Sequence, residues 1–262
     1  MALIGTRYGR RVREPVLAAI ALLLWAFPCS AQTYRSDAFT YAIGTMKHSV
    51  APIICPRQIS ATQLTPIVVG TVFFISSKGD FITADHILQA FGDKQPYAAC
   101  PTEIGFAAPV VNDPAHFNFQ FFQFAIPDCV RDAGIDIARC HSMIDLSAAE
   151  SSKFEPAPVT IDPDQMADGS AVAFTGFPLG TPIPVSARGY VGGYQMDPRG
   201  PVQMIVDRAA WPGASGSPLF DYRGHVVGMM IIAGENVASG ISYARTGFAL
   251  AQFMSAHPLP EK

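Results

Sequence analysis

Residues 213–218 read Gly-Ala-Ser-Gly-Ser-Pro, and a serine set among glycines is a group that can do nucleophilic chemistry. Glycines allow a tight turn that residues with a Cβ would strain, and such a turn aims successive backbone N–H groups at one point. N–H groups converging in that way stabilise the negative charge that develops on a carbonyl oxygen under attack. Alone, the hexapeptide would serve equally as an ordinary Gly/Ser/Pro loop. It does not stand alone. Thr83-Ala84-Asp85-His86-Ile87-Leu88 closes a strand-like run and puts His86 where a base can reach a nucleophile on another element. Ile135-Asp136-Ile137-Ala138 places one carboxylate in an apolar run, where charge is costly unless it accepts a hydrogen bond, for instance from an imidazole N–H. Singly, His86 reads as a structural histidine and Asp136 as a turn residue. Together with Ser215, at gaps of 50 and 79 residues, they supply a base, its orienting carboxylate and a nucleophile for acyl transfer.

The elements that must position these groups are mostly strands. Residues 67–76 form a β-branched and aromatic run, 77–80 a turn, and 81–84 a resumed strand, which together make a hairpin. Phe117, Phe119 and Phe121 alternate with Asn118 and Gln120, so this strand is expected to bury its Phe face. Residues 147–164 are rich in Ser, Ala, Pro and Asp without periodicity and read as a linker. A second strand series follows at 171–177, 185–194, 202–207, 218–220, 226–232 and 240–250, with a short helix possible near 250–255. The fold class is all-β in two halves.

Composition bounds the rest. Hydrophobic residues make up 49% and charged ones 15%, and the 22 Gly and 22 Pro are scattered rather than clustered, which suits a strand-rich, turn-rich globule. Arginines at 7, 10, 11 and 13, an apolar stretch at 15–27 and Cys29-Ser30-Ala31 have the make-up of a cleaved secretory signal peptide. The apolar stretch is shorter than the roughly 20 residues of a membrane-spanning helix, so no stable membrane association is expected after cleavage. Residues 32–262 carry 14 Lys and Arg against 20 Asp and Glu, a balance that disfavours nucleic acid. Four cysteines remain, Cys55, Cys100, Cys129 and Cys140, an even number in a chain bound for the periplasm or the medium. Of three possible pairings, Cys129 with Cys140 closes a short loop across Asp136 and leaves Cys55 with Cys100. Free buried thiols are the alternative.

The residues above resemble the bacterial trypsin-like peptidases, nearest to the protease domain of the Deg-type, high-temperature-requirement enzymes. Gly70-Thr71-Val72-Phe73-Phe74-Ile75-Ser76 through Thr83-Ala84-Asp85-His86 is similar to that family's strand, turn and catalytic histidine. Asp136-Ile137-Ala138 resembles its aspartate segment, Gly176-Phe177-Pro178-Leu179-Gly180 the turn opening its second barrel, residues 207–218 its nucleophile loop, and 240–249 its closing strand. The resemblance implies two six-stranded antiparallel β-barrels, near residues 45–146 and 165–250, within a peptidase domain at 49–255 that follows an extension at 32–48. It implies a serine endopeptidase acting on protein or peptide substrates, with His86, Asp136 and Ser215 as the triad, the Gly213 and Ser215 amides as the oxyanion hole, and no cofactor or metal. Its pocket-base positions fall on Ala209 and Ala210, and Met230 and Ile231 on the opposite wall. None of these pairs with Lys, Arg or Glu, so cleavage after small or medium aliphatic residues is expected.

Departures from the family pattern are informative. Asp85 stands where a small or neutral residue is usual; it would either perturb the imidazole or point to solvent. Ser217 replaces a common Gly. Ala214 cannot form the ion pair by which trypsin-type zymogens are activated, so the oxyanion hole is expected to form without that switch, although residues 32–48 could act as a propeptide. The stretch after Ser215 is too short for a PDZ domain. An α/β-hydrolase is excluded by Ser217, where its elbow needs Gly, and by the order of the three groups. A zinc protease is excluded because no His-Glu-x-x-His occurs. The remaining alternative is the same fold serving as a non-catalytic binding or scaffold protein.

Overall fold

The computed structural model describes residues 37–60, 63–92, 104–109, 119–148, 154–198, 200–231 and 240–258. The signal-peptide reading of residues 1–31, Cys100 and Phe117 fall outside them. The chain enters through helix α1 (Ala38–Met46), capped by Asp37, whose side chain accepts the Thr40 N–H. Seven strands follow: β1 (Val50–Ser60), β2 (Gln63–Phe74), β3 (Asp80–Thr83), β4 (Gly105–Pro109), β5 (Phe119–Gln123), β6 (Val130–Asp132) and β7 (Ile137–His141), with helix α2 (Asp85–Gly92) after β3. They form one antiparallel sheet in the order β5-β4-β1-β2-β3-β7-β6. β8 (Ala171–Gly176), β9 (Val185–Asp197), β10 (Gly200–Val206), β11 (Pro218–Phe220), β12 (Val226–Ile231) and β13 (Ser242–Thr246) close a barrel in the order β10-β13-β12-β11-β8-β9, and helix α3 (Gly247–Ala256) ends the fold. Among the described residues no helix is long and apolar enough to cross a membrane.

The mostly-β, two-part expectation holds, and the second half is a closed six-stranded barrel. The first half is the other barrel of that expectation, a curled half-barrel of seven strands rather than six, with β5 and β6 at its two edges and the short β6 and β7 paired as a hairpin beside β3.

Two further details correct the periodicity reading. Phe121 is 38% exposed while Phe122 and Phe124 are buried, so β5 turns the opposite face inward. In the run Phe119-Gln120-Phe121-Phe122-Gln123-Phe124 both faces carry Phe, and a shift of one residue exchanges them. Phe122 stacks on Phe106 at 5.3 Å, and Phe124 meets Phe81 edge-on at 5.0 Å. The Gly240–Leu250 run, read as a strand, stops at Thr246. That residue's hydroxyl accepts the Ala249 N–H, an N-cap that starts α3 and turns Ala249, Leu250 and Phe253 into the core.

The compact unit begins at Asp37, within the expected N-terminal extension. Helix α1 buries Ala42 and Met46. Arg188 of β9 binds Asp37 through both of its terminal nitrogens, at 2.6 and 2.7 Å, and lies 4.9 Å over the Phe39 ring. The guanidinium holds the Asp37 carboxyl well below the usual carboxylate range. Both side chains are exposed, and pairs of that kind contribute little; the buried Ala42 and Met46 do more to hold α1. The described end of the linker is paired as well, since Val159 N–H donates to Phe74 O and Asp162 N–H to Val226 O.

Candidate active site

Ser215 lies in a loop whose backbone is fixed from both halves of the fold. Thr71 of β2 donates its N–H to Ser215 O at 2.9 Å and its hydroxyl to Gly213 O at 2.9 Å. From the other side, Gly216 N–H donates to Met230 O of β12, also at 2.9 Å. Gly213 and Gly216 have φ of 93° and 82°. A Cβ on Gly213 would lie 2.4 Å from Phe177 O, and one on Gly216 2.1 Å from Thr71 O. Both positions therefore need glycine for conformation and for space. Ala214 N–H donates to Trp211 O and Ser217 N–H to Ala214 O. The N–H groups of Gly213 and Ser215 have no hydrogen-bond partner among the described residues, as an oxyanion hole requires. The Ser215 hydroxyl is likewise without a partner among them, and the residue is 5% exposed.

His86 is the second residue of α2, directly after β3. Asp136 holds it at two points: Oδ2 is 2.8 Å from Nδ1, and Oδ1 accepts the His86 backbone N–H at 2.8 Å. Asp136 sits in the turn between β6 and β7 with φ of 54°, a left-handed conformation that Asp tolerates better than most residues. Cys129 and Cys140 are joined in a disulfide across the base of that hairpin, with Cα atoms 4.3 Å apart. Cys55 is buried as well, and Cys100, expected to pair with it, lies outside the described residues. Behind His86, Ile87 and Leu88 are buried. Gly70 of β2 makes room there, for a Cβ on it would lie 2.2 Å from Ile87 Cδ1 and 3.4 Å from Ser215 O. The segments that carry His86 and Ser215 thus meet over this one glycine.

Charge around Asp136 is not left to His86 alone. Burial lowers the pKa of the Arg245 guanidinium of β13, and the Asp136 and Asp132 carboxylates act against that fall. Asp85 does not point to solvent: it is fully buried and bonded to Arg131 and Gln89.

The residues aligned with the specificity pocket are divided by the pleat of β12. Met230 packs in the barrel-interior cluster with Ala210 and Ala214, whereas Met229 and Ile231 belong to the larger cluster shared with the first sheet. Successive side chains of a strand face opposite ways, so Ile231 does not share a wall with Met230. Ala209 is half-buried beside Ala210.

Sequence reasoning missed the roles of Thr71 and Arg131, and missed the bond by which the expected turn at Leu179 holds the nucleophile loop. Leu179 has φ of 55°, is 70% exposed, and donates its N–H to Pro212 O of the nucleophile loop. Only long-range contacts reveal these three. Asp162, Asp221 and His225 also converge, but Arg223 already occupies their oxygens, with Nε 2.6 Å from Asp221 and a terminal nitrogen 2.8 Å from Asp162.

The solved structures that the chain is similar to have the same fold. The Rv3671c protease from M. tuberculosis in its active form matches with TM-score 0.59 and 16% identity, over 84% of this chain and 85% of that one. Deg5 matches with TM-score 0.59 and 16% identity, over 82% and 91%. The inactive form of Rv3671c matches with TM-score 0.54 and 16% identity, over 82% and 91%. No curated protein matches the sequence. The model of the trypsin-like peptidase domain matches residues 70–229, a span that runs from Gly70 under His86 through the nucleophile loop to β12, and the chain belongs to that family.

Proposed function

We propose that this chain is an exported serine endopeptidase. Ser215 attacks the scissile carbonyl, His86 takes the serine proton and later delivers it to the leaving amine, and Asp136 holds the imidazole and stabilises the imidazolium. The amides of Gly213 and Ser215 receive the oxyanion. The observation that carries this reading is the two-point hold of Asp136 on His86. That hold commits Nδ1 to the carboxylate and leaves Nε2 as the ring nitrogen for proton transfer. Catalytic hydrogen bonds often tighten only when substrate binds, which accommodates the unbonded Ser215 hydroxyl.

Substrates on this reading are proteins or peptides with small or medium aliphatic residues before the scissile bond, because Ala209, Ala210 and Met230 offer apolar atoms and no charge. The basic and apolar N-terminus, together with the disulfide at the Asp136 hairpin, supports the periplasm or the medium as the site of action. The test is covalent labelling of the purified protein by an organofluorophosphonate. Wild type takes up one equivalent and Ser215→Ala none; labelling that persists in Ser215→Ala rejects the assignment.

A further inference from the structure

The geometry points to Asp85 and Arg131 as a positioning clamp for the His86–Asp136 couple, an inference that rests on the triad reading above. Asp85 is fully buried, and a buried carboxylate is costly unless it is paired and hydrogen-bonded. Its Oδ1 lies 2.5 Å from Arg131 Nε and its Oδ2 accepts from Gln89 Nε2 at 2.6 Å. Although Asp85 opens α2, the partners of its oxygens are side chains rather than the free amides of its own helix, so capping does not account for it.

The placement of the two pairs carries the argument. Asp85 and His86 are consecutive on one segment, and Arg131 and Asp136 lie on one hairpin. Two polar contacts, 85–131 and 86–136, therefore join the same two segments side by side. The 86–136 pair alone, though it makes two bonds, grips the segment only at His86; the 85–131 pair adds a separate second anchor that fixes the rotation of α2 relative to the hairpin and so the aim of the imidazole. The disulfide from Cys129, two residues before Arg131, ties β6 to β7 and keeps the hairpin end of the clamp from sliding.

The clamp also has an electrostatic consequence. The charged groups facing this region are Arg131, Asp132 and Asp136 from the hairpin, Asp85 from α2 and Arg245 from β13. Asp85 and Arg131 neutralise one another beside His86, so the pair adds no net charge of its own to the field that Asp136 sets on the imidazole. Removing either member of the clamp leaves the other's charge next to the base. A bare cation disfavours the imidazolium and a bare anion favours it.

The test is the rate of organofluorophosphonate labelling as a function of pH, which needs no natural substrate, for wild type, Asp85→Asn, Arg131→Met, the double variant and Ser215→Ala. The acid limb is expected to move to lower pH in Asp85→Asn and to higher pH in Arg131→Met, by about half a pH unit or more each. In the double variant it is expected to return to the wild-type position. The plateau rate falls about tenfold or more in all three, since both contacts are needed for aim. A purely structural pair would lower rates without opposite shifts, so single-variant limbs that coincide with wild type, or move the same way, overturn the clamp. Should Arg131→Met not fold, Arg131→Gln removes the same charge with a polar side chain, and Asp85→Asn alone still decides the direction of its own shift. Labelling in Ser215→Ala, or none in wild type, rejects the triad reading itself. Silence in Ser215→Ala with unshifted clamp variants rejects only the clamp.

Discussion

Asp136 binds His86 with both carboxylate oxygens, one on Nδ1 and one on the backbone N–H, each at 2.8 Å, from a backbone held at φ of 54°. The arrangement makes two demands on one residue. Its side chain must accept twice, and its backbone must enter the left-handed region, which Asp and Asn tolerate better than most.

Asp136→Asn separates the two demands. Asn keeps the backbone preference, but its amide can accept at only one end, so either the ring or the backbone contact is lost. We expect kcat to fall about 10⁴-fold, as when this carboxylate is amidated in other triads, with little change in melting temperature. Asp136→Ala should lose the activity and also melt lower, since Ala tolerates the left-handed turn less well. Parallel assays and thermal melts check this, and an Asn variant with near-wild-type turnover refutes the role of Asp136.

What was readable in the sequence divides along physical lines. Glycines around a serine, a histidine after a strand and an aspartate in an apolar run are local patterns, and each points to its chemistry without knowledge of the fold. Phe121 against Phe122 was not readable, because a strand with aromatic residues on both faces leaves its inward face to be chosen by packing. Helix α1 escaped although Phe39, Ala42, Ile43 and Met46 recur at helical spacing and pack on the core, because its nine residues give only about two turns of that pattern. Asp85 with Arg131, and Thr71 with Gly213, are separated by 46 and 142 residues. No local pattern announces such contacts, and those two pairs set the aim of the base and the shape of the nucleophile loop.

Opening the disulfide tests how far the Asp136 hairpin depends on it. Cys129 and Cys140 are 11 residues apart, and closing a short loop of that size stabilises a fold by about 2–4 kcal/mol. Cys129→Ser with Cys140→Ser is expected to lower the denaturant midpoint accordingly. Activity should fall as well, because both Asp136 and Arg131 ride on the freed hairpin. Peptide mapping without reduction should recover the 129–140 crosslink from exported protein; two free thiols there would contradict an oxidising destination.

Gly213→Ala probes the oxyanion hole without touching the triad. The backbone at φ of 93° and the 2.4 Å approach to Phe177 O leave no place for a methyl group, so the peptide must rotate and its N–H turn away. Loss of one donor of this kind costs about 10²–10³ in kcat. KM should change little, because the donor acts on charge that appears only in the transition state. A variant that raises KM while keeping kcat would show that the amide serves ground-state binding instead.

Specificity should follow from Met230, which is fully buried with Ala210 and Ala214 in the barrel interior. Its carbonyl receives the Gly216 N–H and its N–H donates to Ser217 O, so its backbone is fixed relative to Ser215. On the proposed reading its flexible thioether is then the group that would set the depth of a pocket beside Ala210. A pocket so lined offers no partner for Lys, Arg or Glu, and burying an unpaired charge there would cost several kcal/mol, whereas one methylene more or less changes discrimination by about 1–3 kcal/mol. A peptide-library profile is therefore expected to show cleavage after Ala, Val or Leu. In Met230→Ala the preference should move toward Leu and Phe as the cavity deepens, with a stability cost of about 2–5 kcal/mol, read from a denaturant melt alongside the profile. Dominant cleavage after a charged residue, or a profile that Met230→Ala leaves unchanged while the protein stays folded, would place the pocket elsewhere without touching the assignment of Ser215.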